Sequence, residues 1–269
     1  MSGRWLDERK RDPYHRMAKE QGYRSRAVYK LKEIDQRFRI FRDAEVVLDL
    51  GAAPGGWLQV ASQALDGEGL VLGVDLVAID PLVNRNVKTV QGDIAEDSTL
   101  EQVRRLLPGP VDVLLSDLSP QVSGIWDLDH YRQLELARRA LRYADEFLKP
   151  GGWIVLKIFQ GAETDAFLRS LRRRLSFMKI FHPRATRKKS AESYVIGRTS
   201  WRVRSRLDYE ISSFRTLATR ALDCITGLPV FSFTICLCLE LKPMQFKKTK
   251  STPFFASLSA ISSTSFSGP

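Results

Sequence analysis

Residues 45–57 read EVVLDLGAAPGGW. Val46, Val47, Leu48 and Leu50 form an apolar, β-rich run broken only by Asp49, which is how a strand buried on both faces reads. Gly51, Pro54, Gly55 and Gly56 follow at once, and a helix is predicted to start near Gly56. Strand, glycine-rich turn and helix in that order make a nucleotide-type loop at the carboxyl end of the first strand of an α/β sheet. The glycines let the main chain approach a ligand closely, and the helix N-terminus offers unpaired N–H groups. The spacing is neither G-x-G-x-x-G nor G-x-x-x-x-G-K-[ST]. That disfavours a pyrophosphate or triphosphate ligand, and with it a nicotinamide-dependent dehydrogenase.

From this loop outward, the chain alternates β-branched runs with amphipathic stretches as far as about Gly197, the pattern of a doubly wound sheet. EVVLDL, LVLGVDL, VKTVQGD, VDVLLSDL, GWIVLKIF, FMKIFHP and SYVIG are read as seven strands. Helices are predicted from near Gly56, Ser98, Leu128 and Glu163. The longest, LDHYRQLELARRALRYADEFL, is expected to stop at KPGG. A further helix, SRAVYKLKEIDQRF, precedes the sheet with Val28, Leu31, Ile34 and Phe38 as its buried stripe. Two more acids stand at strand ends: Asp75 closes the second strand and Asp93 follows the third in VQGD. A carboxylate ending the second strand is where such sheets hold a ribose diol. It would repel a phosphate, so the expected ligand is a nucleoside carrying hydroxyls and an amine. S-adenosylmethionine fits that description. Either acid alone would more often be a loop or cap residue.

The chain has 269 residues and a formal net charge of +11, enough for one good core plus an appendage, and a balance that favours a polyanionic partner. Residues 1–26 carry eight Lys or Arg against four Asp or Glu, with Trp5, Tyr14 and Tyr23 interleaved. They form a basic N-terminal arm that reads equally as an RNA contact or as a solvated leader. The start MSGRWLDERKRDPYHR lacks the apolar core of a secretory signal, so a cytoplasmic location is expected. No membrane contact is expected, because the apolar run ITGLPVFSFTICLCLEL is interrupted by Gly227 and Pro229. Cys224, Cys236 and Cys238 all fall in the C-terminal quarter, and no Cys or His spacing suggests a metal.

The ordered set GYRSRAVYKLKEID, DLGAAPGGW, GDI, SDLSP, VLKIF and SAESYVIG resembles the FtsJ/RlmE family of RNA ribose 2′-O-methyltransferases over about 12–197. The resemblance implies a Rossmann-like S-adenosylmethionine-dependent methyltransferase fold, an α/β seven-stranded, mostly parallel sheet with an antiparallel last strand. It implies a methyltransferase domain over 27–197 and a catalytic tetrad at Lys30, Asp117, Lys157 and Glu192. It further implies that Gly55, Trp57, Asp75, Asp93 and Asp117 contact the methyl donor, and that the acceptor is a uridine of large-subunit ribosomal RNA, met within a large-subunit particle by a monomeric enzyme. Residues 198–269 lie outside the pattern; a divergent extension, a disordered tail and a segment replaced by a reading-frame change are three open accounts of them.

Chemistry supports that tetrad separately from the resemblance. A ribose hydroxyl is a weak nucleophile that needs a base as the new bond forms, and Lys157 lies inside the apolar WIVLKIF, where a lysine is costly unless paired or at the strand's open end. Lys157 is the expected proton acceptor, held by Asp117 and Glu192, with Lys30 orienting the hydroxyl or stabilising developing charge. The other three members have plainer readings. Lys30 lies off the buried stripe and reads as a solvated helix lysine, Asp117 as a cap of the DLSP turn, and Glu192 as a surface acid beside Arg187, Lys188 and Lys189. The loop RATRKKS, with Arg184, Arg187, Lys188 and Lys189, is the clearest candidate for RNA phosphates. Two alternative functions stay open: methylation of a tRNA anticodon loop, and a noncatalytic RNA-binding ribosome-assembly factor.

Overall fold

The computed structural model describes residues 12–187 and 190–200. The chain separates into two compact units, Met1–Ile211 and Ser212–Pro269, and every described residue lies in the first. The expectations for the start of the basic arm, for Lys188 and Lys189, and for the extension from residue 201 onward fall outside the described residues. The last part of the arm is helical: α1 (Pro13–Glu20) starts with Pro13 at its first position and is capped by Asp12, whose carboxylate accepts from the amides of Tyr14 at 3.0 Å and His15 at 3.3 Å.

Helix α2 (Val28–Phe38) follows, with Val28, Leu31 and Ile34 fully buried as its spacing predicts. The sheet then builds through β1 (Val46–Leu50), α3 (Gly56–Ala64), β2 (Leu70–Asp75), β3 (Val87–Gln91), α4 (Asp97–Leu106) and β4 (Val111–Ser116). It is completed by α5 (Trp126–Phe147), β5 (Leu148–Phe159), α6 (Thr164–Arg172), β6 (Leu175–Phe181) and β7 (Glu192–Thr199). Its order is β3-β2-β1-β4-β5-β7-β6. All neighbours from β3 to β5 pair in parallel, while β7 is antiparallel to both β5 and β6. This is the expected seven-stranded α/β sheet, mostly parallel with its last strand reversed.

The apolar run of β1 is buried throughout because helices cover both faces of the sheet. One face packs Leu48, Leu50, Leu72, Leu114 and Ile154 beneath α4, α5 and α6; the other packs Val47, Val71, Val113 and Val155 beneath α2 and α3. Burying side chains of this size contributes about 1.5–3 kcal/mol each before entropy is counted. The strand order reverses between β1 and β4, and a crevice at such a switch point is where α/β sheets hold ligands. The carboxyl ends of β1, β2, β4 and β5 share one edge, and the reversed β7 brings its amino end, Glu192, to the same edge.

One expected stop differs. KPGG does not cap α5: the helix ends at Phe147, Leu148 is extended at ψ 128°, and β5 already begins there. Pro150 disfavours helical backbone at the residue before it, so the chain leaves the helix by extending rather than by a left-handed glycine turn.

Candidate active site

The turn after β1 forms one wall of a cleft of ≈ 310 Å³ whose lining includes Gly51, Ala53, Asp75, Asp93, Asp117 and Leu118. Gly51 has φ +81°, and a Cβ there would stand 3.0 Å from the Leu118 side chain, so both backbone conformation and space require glycine. Asp75 ties this turn to β2: one carboxylate oxygen accepts the Ala53 amide at 2.9 Å and the other the Val77 amide at 2.9 Å. Asp93 accepts the Ala95 amide at 2.8 Å. Thus three of the five residues expected to contact the donor, Asp75, Asp93 and Asp117, line the cleft.

Gly55 and Trp57 are not in its lining. Gly55 sits at φ +104° as the N-cap of α3, and a Cβ on it would meet the Arg24 guanidinium at 3.1 Å. Trp57 is buried, donates its indole N–H to the Ala27 carbonyl at 2.9 Å, and packs its ring 5.9 Å from that of Tyr194. Both residues shape the loop. Arg24 holds the loop from outside, donating to the carbonyls of Pro54 at 3.0 Å, Asp80 at 2.6 Å and Pro81 at 2.7 Å. It therefore fastens the glycine turn to the loop after β2.

Asp49 is fully buried at the end of β1, and neither carboxylate oxygen has a hydrogen-bond partner. Burial, then the nearby Asp117 and Asp75 carboxylates, push its carboxyl well above the usual carboxylate range. A buried acid left unpaired next to the turn suits a ligand that brings a cation or donors. Together with the acid-lined cleft and the Gly51 close approach, this fits an aminoacyl nucleoside such as S-adenosylmethionine.

The four tetrad residues meet at the sheet edge. Lys30 forms an ion pair with Glu192, and Lys157 Nζ lies 3.3 Å from Asp117 Oδ1 and 3.8 Å from Glu192 Oε2. These side chains are only 9–18% exposed, so the solvated-lysine reading of Lys30 and the surface-acid reading of Glu192 are both corrected. The reason is that α2 lays its Lys30 position against β7, where Glu192 offers a partner that helix spacing alone could not reveal. Two lysines and two acids balance their charges, which is what lets them be buried together.

Tyr194, which sequence reasoning passed over, lies at the centre of this set. Its hydroxyl donates to Asp117 Oδ1 at 2.7 Å and accepts from Lys30 Nζ at 3.4 Å, and in the sheet it is the register partner of Lys157. Burial first, then the charges of Asp117 and Glu192, raise its hydroxyl well above the ordinary tyrosine range, so it stays a donor. Strand alternation places residues 192 and 194 on one face, and that signal could have found it.

On the far side of Glu192 lies a second pocket of ≈ 270 Å³, lined by Arg26, Ala27, Lys30, Arg187, Ser190 and Glu192. Arg26 is anchored there by an ion pair with Asp12 and a hydrogen bond to the Ala185 carbonyl. Of the basic loop expected to meet phosphates, Arg187 lines this pocket, while the Arg184 amide donates to Glu33 at 2.7 Å. The tetrad thus bridges two openings. Asp117 faces the first, Lys30 and Glu192 face the second, and Lys157 is paired to both sides. Among the described residues no cluster of His, Cys, Asp and Glu is arranged to hold a metal, and no helix is long and apolar enough to cross a membrane.

The chain is 50% identical over 188 residues to "Ribosomal RNA large subunit methyltransferase E" of Methanothrix thermoacetophila, covering 70% of this chain and 72% of that one. It is 42% identical over 197 residues to the protein of the same name in Methanobrevibacter smithii, covering 73% and 94%. A crystal structure described as a ribosomal RNA methyltransferase of Plasmodium falciparum superimposes with a TM-score of 0.60 at 26% identity, over 66% of this chain and 98% of that one. The model of the FtsJ-like methyltransferase family matches residues 23–200; the chain belongs to that family.

Proposed function

We propose that this methyltransferase uses S-adenosylmethionine to methylate a ribose 2′-hydroxyl, that of a uridine in large-subunit ribosomal RNA, acting in the cytoplasm as a monomer on a large-subunit particle. The observation that carries the chemistry is the tetrad set between two pockets, one acid-lined with a glycine wall and one holding Arg26 and Arg187. The relatives at 41–50% identity are named for large-subunit ribosomal RNA, which does not favour the tRNA alternative. A complete set of paired lysines and acids does not favour a noncatalytic assembly factor.

When bound, S-adenosylmethionine supplies a methyl group activated on a sulfonium. Asp75 and Asp93 line the cleft that would hold it, and Asp49 lies buried and unpaired next to the glycine turn. Arg26 and Arg187 supply cations for the phosphates flanking the acceptor ribose, positioning it without reading sequence. Lys157, once it has released its own proton and stands as the neutral amine, would take the proton of the 2′-hydroxyl, and bound S-adenosylmethionine would supply the methyl that the oxygen accepts. Asp117 and Glu192 aim Nζ of Lys157 at that hydroxyl, while Lys30, fixed by Glu192 and Tyr194, orients the oxygen. Much of the acceleration comes from this prearranged geometry.

The test is transfer of labelled methyl from S-adenosylmethionine to ribosomal particles and to total tRNA, both from cells lacking the protein, followed by mapping of the product. Label at one 2′-O position of large-subunit RNA is expected. Label in tRNA alone would move the substrate, and no label with donor binding intact would overturn the enzymatic reading.

A further inference from the structure

The first turn of α5 carries a surface that the reaction centre leaves unused. Trp126 is 47% exposed, and Val122, Ile125 and Tyr131 beside it are exposed too. The indole is nonetheless fixed. It lies nearly parallel to Phe159, with centroids 6.0 Å apart and planes at 20°, and to His130, at 6.4 Å and 16°. His130 is buried and its Nε2 accepts the Glu163 amide at 3.3 Å. Its ring rests on Gly161, where an added Cβ would come within 2.7 Å of the imidazole. Gly161 therefore makes room for His130, and His130 and Phe159 hold Trp126 with part of its surface open.

The location matters as much as the build. Phe159 ends β5 two residues after Lys157 and is the register partner of Glu192. At about 3.3 Å per strand residue, that puts it roughly 7 Å along the strand from the proposed proton acceptor. We propose that Trp126, backed by Phe159 and His130, is a stacking surface for an unpaired RNA base next to the methylated ribose; this rests on the functional reading above. Charge selects the part of RNA that fits. The exposed Asp127 occupies the same first turn and disfavours a phosphate there, whereas the cations Arg26 and Arg187 are gathered in the pocket that Glu192 lines. Aromatic stacking accepts any base and is strong enough to hold one that has left its helix.

The test begins with steady-state methylation of ribosomal particles from cells lacking the protein. Trp126→Ala is expected to raise the KM for particles about tenfold, with the Kd for S-adenosylmethionine, measured without RNA, within about twofold of the parent. Trp126→Phe should recover most of the loss. A second measurement is tryptophan fluorescence during titration with oligouridylate, where the parent should be quenched and Trp126→Phe should lose that quenching. It decides the matter even if Trp126→Ala fails to fold. An unchanged KM together with quenching that persists in Trp126→Phe overturns the proposal. So does a dimer of the parent that Trp126→Ala dissociates, since the face would then belong to a second copy. If the parent transfers no methyl yet shows Trp126-dependent quenching, the stacking surface stands and the methylation reading falls.

Discussion

The two openings on either side of Lys157 are made of different material. The donor cleft is built around the main chain of a tight turn and lined by acids: a left-handed Gly51, amides held by Asp75 and Asp93, and a loop fastened through its carbonyls by Arg24. The acceptor side is made of side-chain charges drawn from α1–α2, the β6–β7 loop and β7. A backbone cleft is rigid and local, and a change there should alter affinity for the donor. A charge cluster is assembled from distant segments, and a change there should alter the chemistry or the RNA.

The largest expected effect tests the second half of that contrast. Lys157→Ala should lower kcat by about 10³-fold, the scale of a lost general base, with donor affinity kept, as read by isothermal titration alongside single-turnover transfer. Loss of donor binding in a folded variant would mean that the cluster and the cleft are one unit. Gly51→Ala tests the first half: forcing an L side chain into the left-handed region costs about 1–2 kcal/mol, and the new Cβ crowds Leu118. Urea unfolding should show that loss and titration a comparable loss of donor affinity; unaltered affinity would place the donor away from the turn.

Arg24→Ala should act more mildly. It removes three charge-assisted bonds that are partly open to water, and the Kd for S-adenosylmethionine should rise about tenfold, with kcat at saturating donor retained. A fall in kcat at saturation instead would place Arg24 in the chemistry. The smallest effect concerns Asp49, whose folded-state carboxyl is raised by burial, Asp117 and Asp75. An unfolded aspartic acid ionises near pH 3.9. Above that pH the unfolded chain binds fewer protons, so this residue lowers stability as pH rises towards its folded-state value. Asp49→Asn should flatten the dependence of the donor-free Tm on pH above about 4 and weaken donor binding. Parallel Tm profiles for the two proteins would mean that another group already compensates the buried acid.

The same contrast explains what was legible in the sequence. The sheet, its helices and the donor loop follow from contiguous runs such as EVVLDLGAAPGGW, where residue type and spacing speak for the local backbone. Lys157 stood out because a charge in an apolar strand demands a reason. Lys30 did not, because its partner Glu192 comes from β7, far along the chain, and helix periodicity assigns it to water. Tyr194, Arg24 and Arg26 were hidden for the same cause: each gains its meaning from a neighbour distant in sequence. Gly55 and Trp57, which the family resemblance implies as donor contacts, are not among the residues lining the cleft and act on its loop from behind. Trp126 continues the buried stripe of α5 yet is 47% exposed, standing at the helix start over Phe159, the last residue of β5.

The reversed strand β7 has a consequence for how the molecule becomes active. Glu192 and Tyr194 sit on the last strand of the sheet, inserted between β5 and β6, while Lys30 lies on the helix that precedes the first. Contacts spanning so much chain close late, after their entropy cost is met by the rest of the core. Until β7 docks, Lys157 has one carboxylate partner fewer and Lys30 has none of those described here. Docking of β7 is therefore what completes the proposed tetrad, and the reaction centre we propose exists only in the closed sheet.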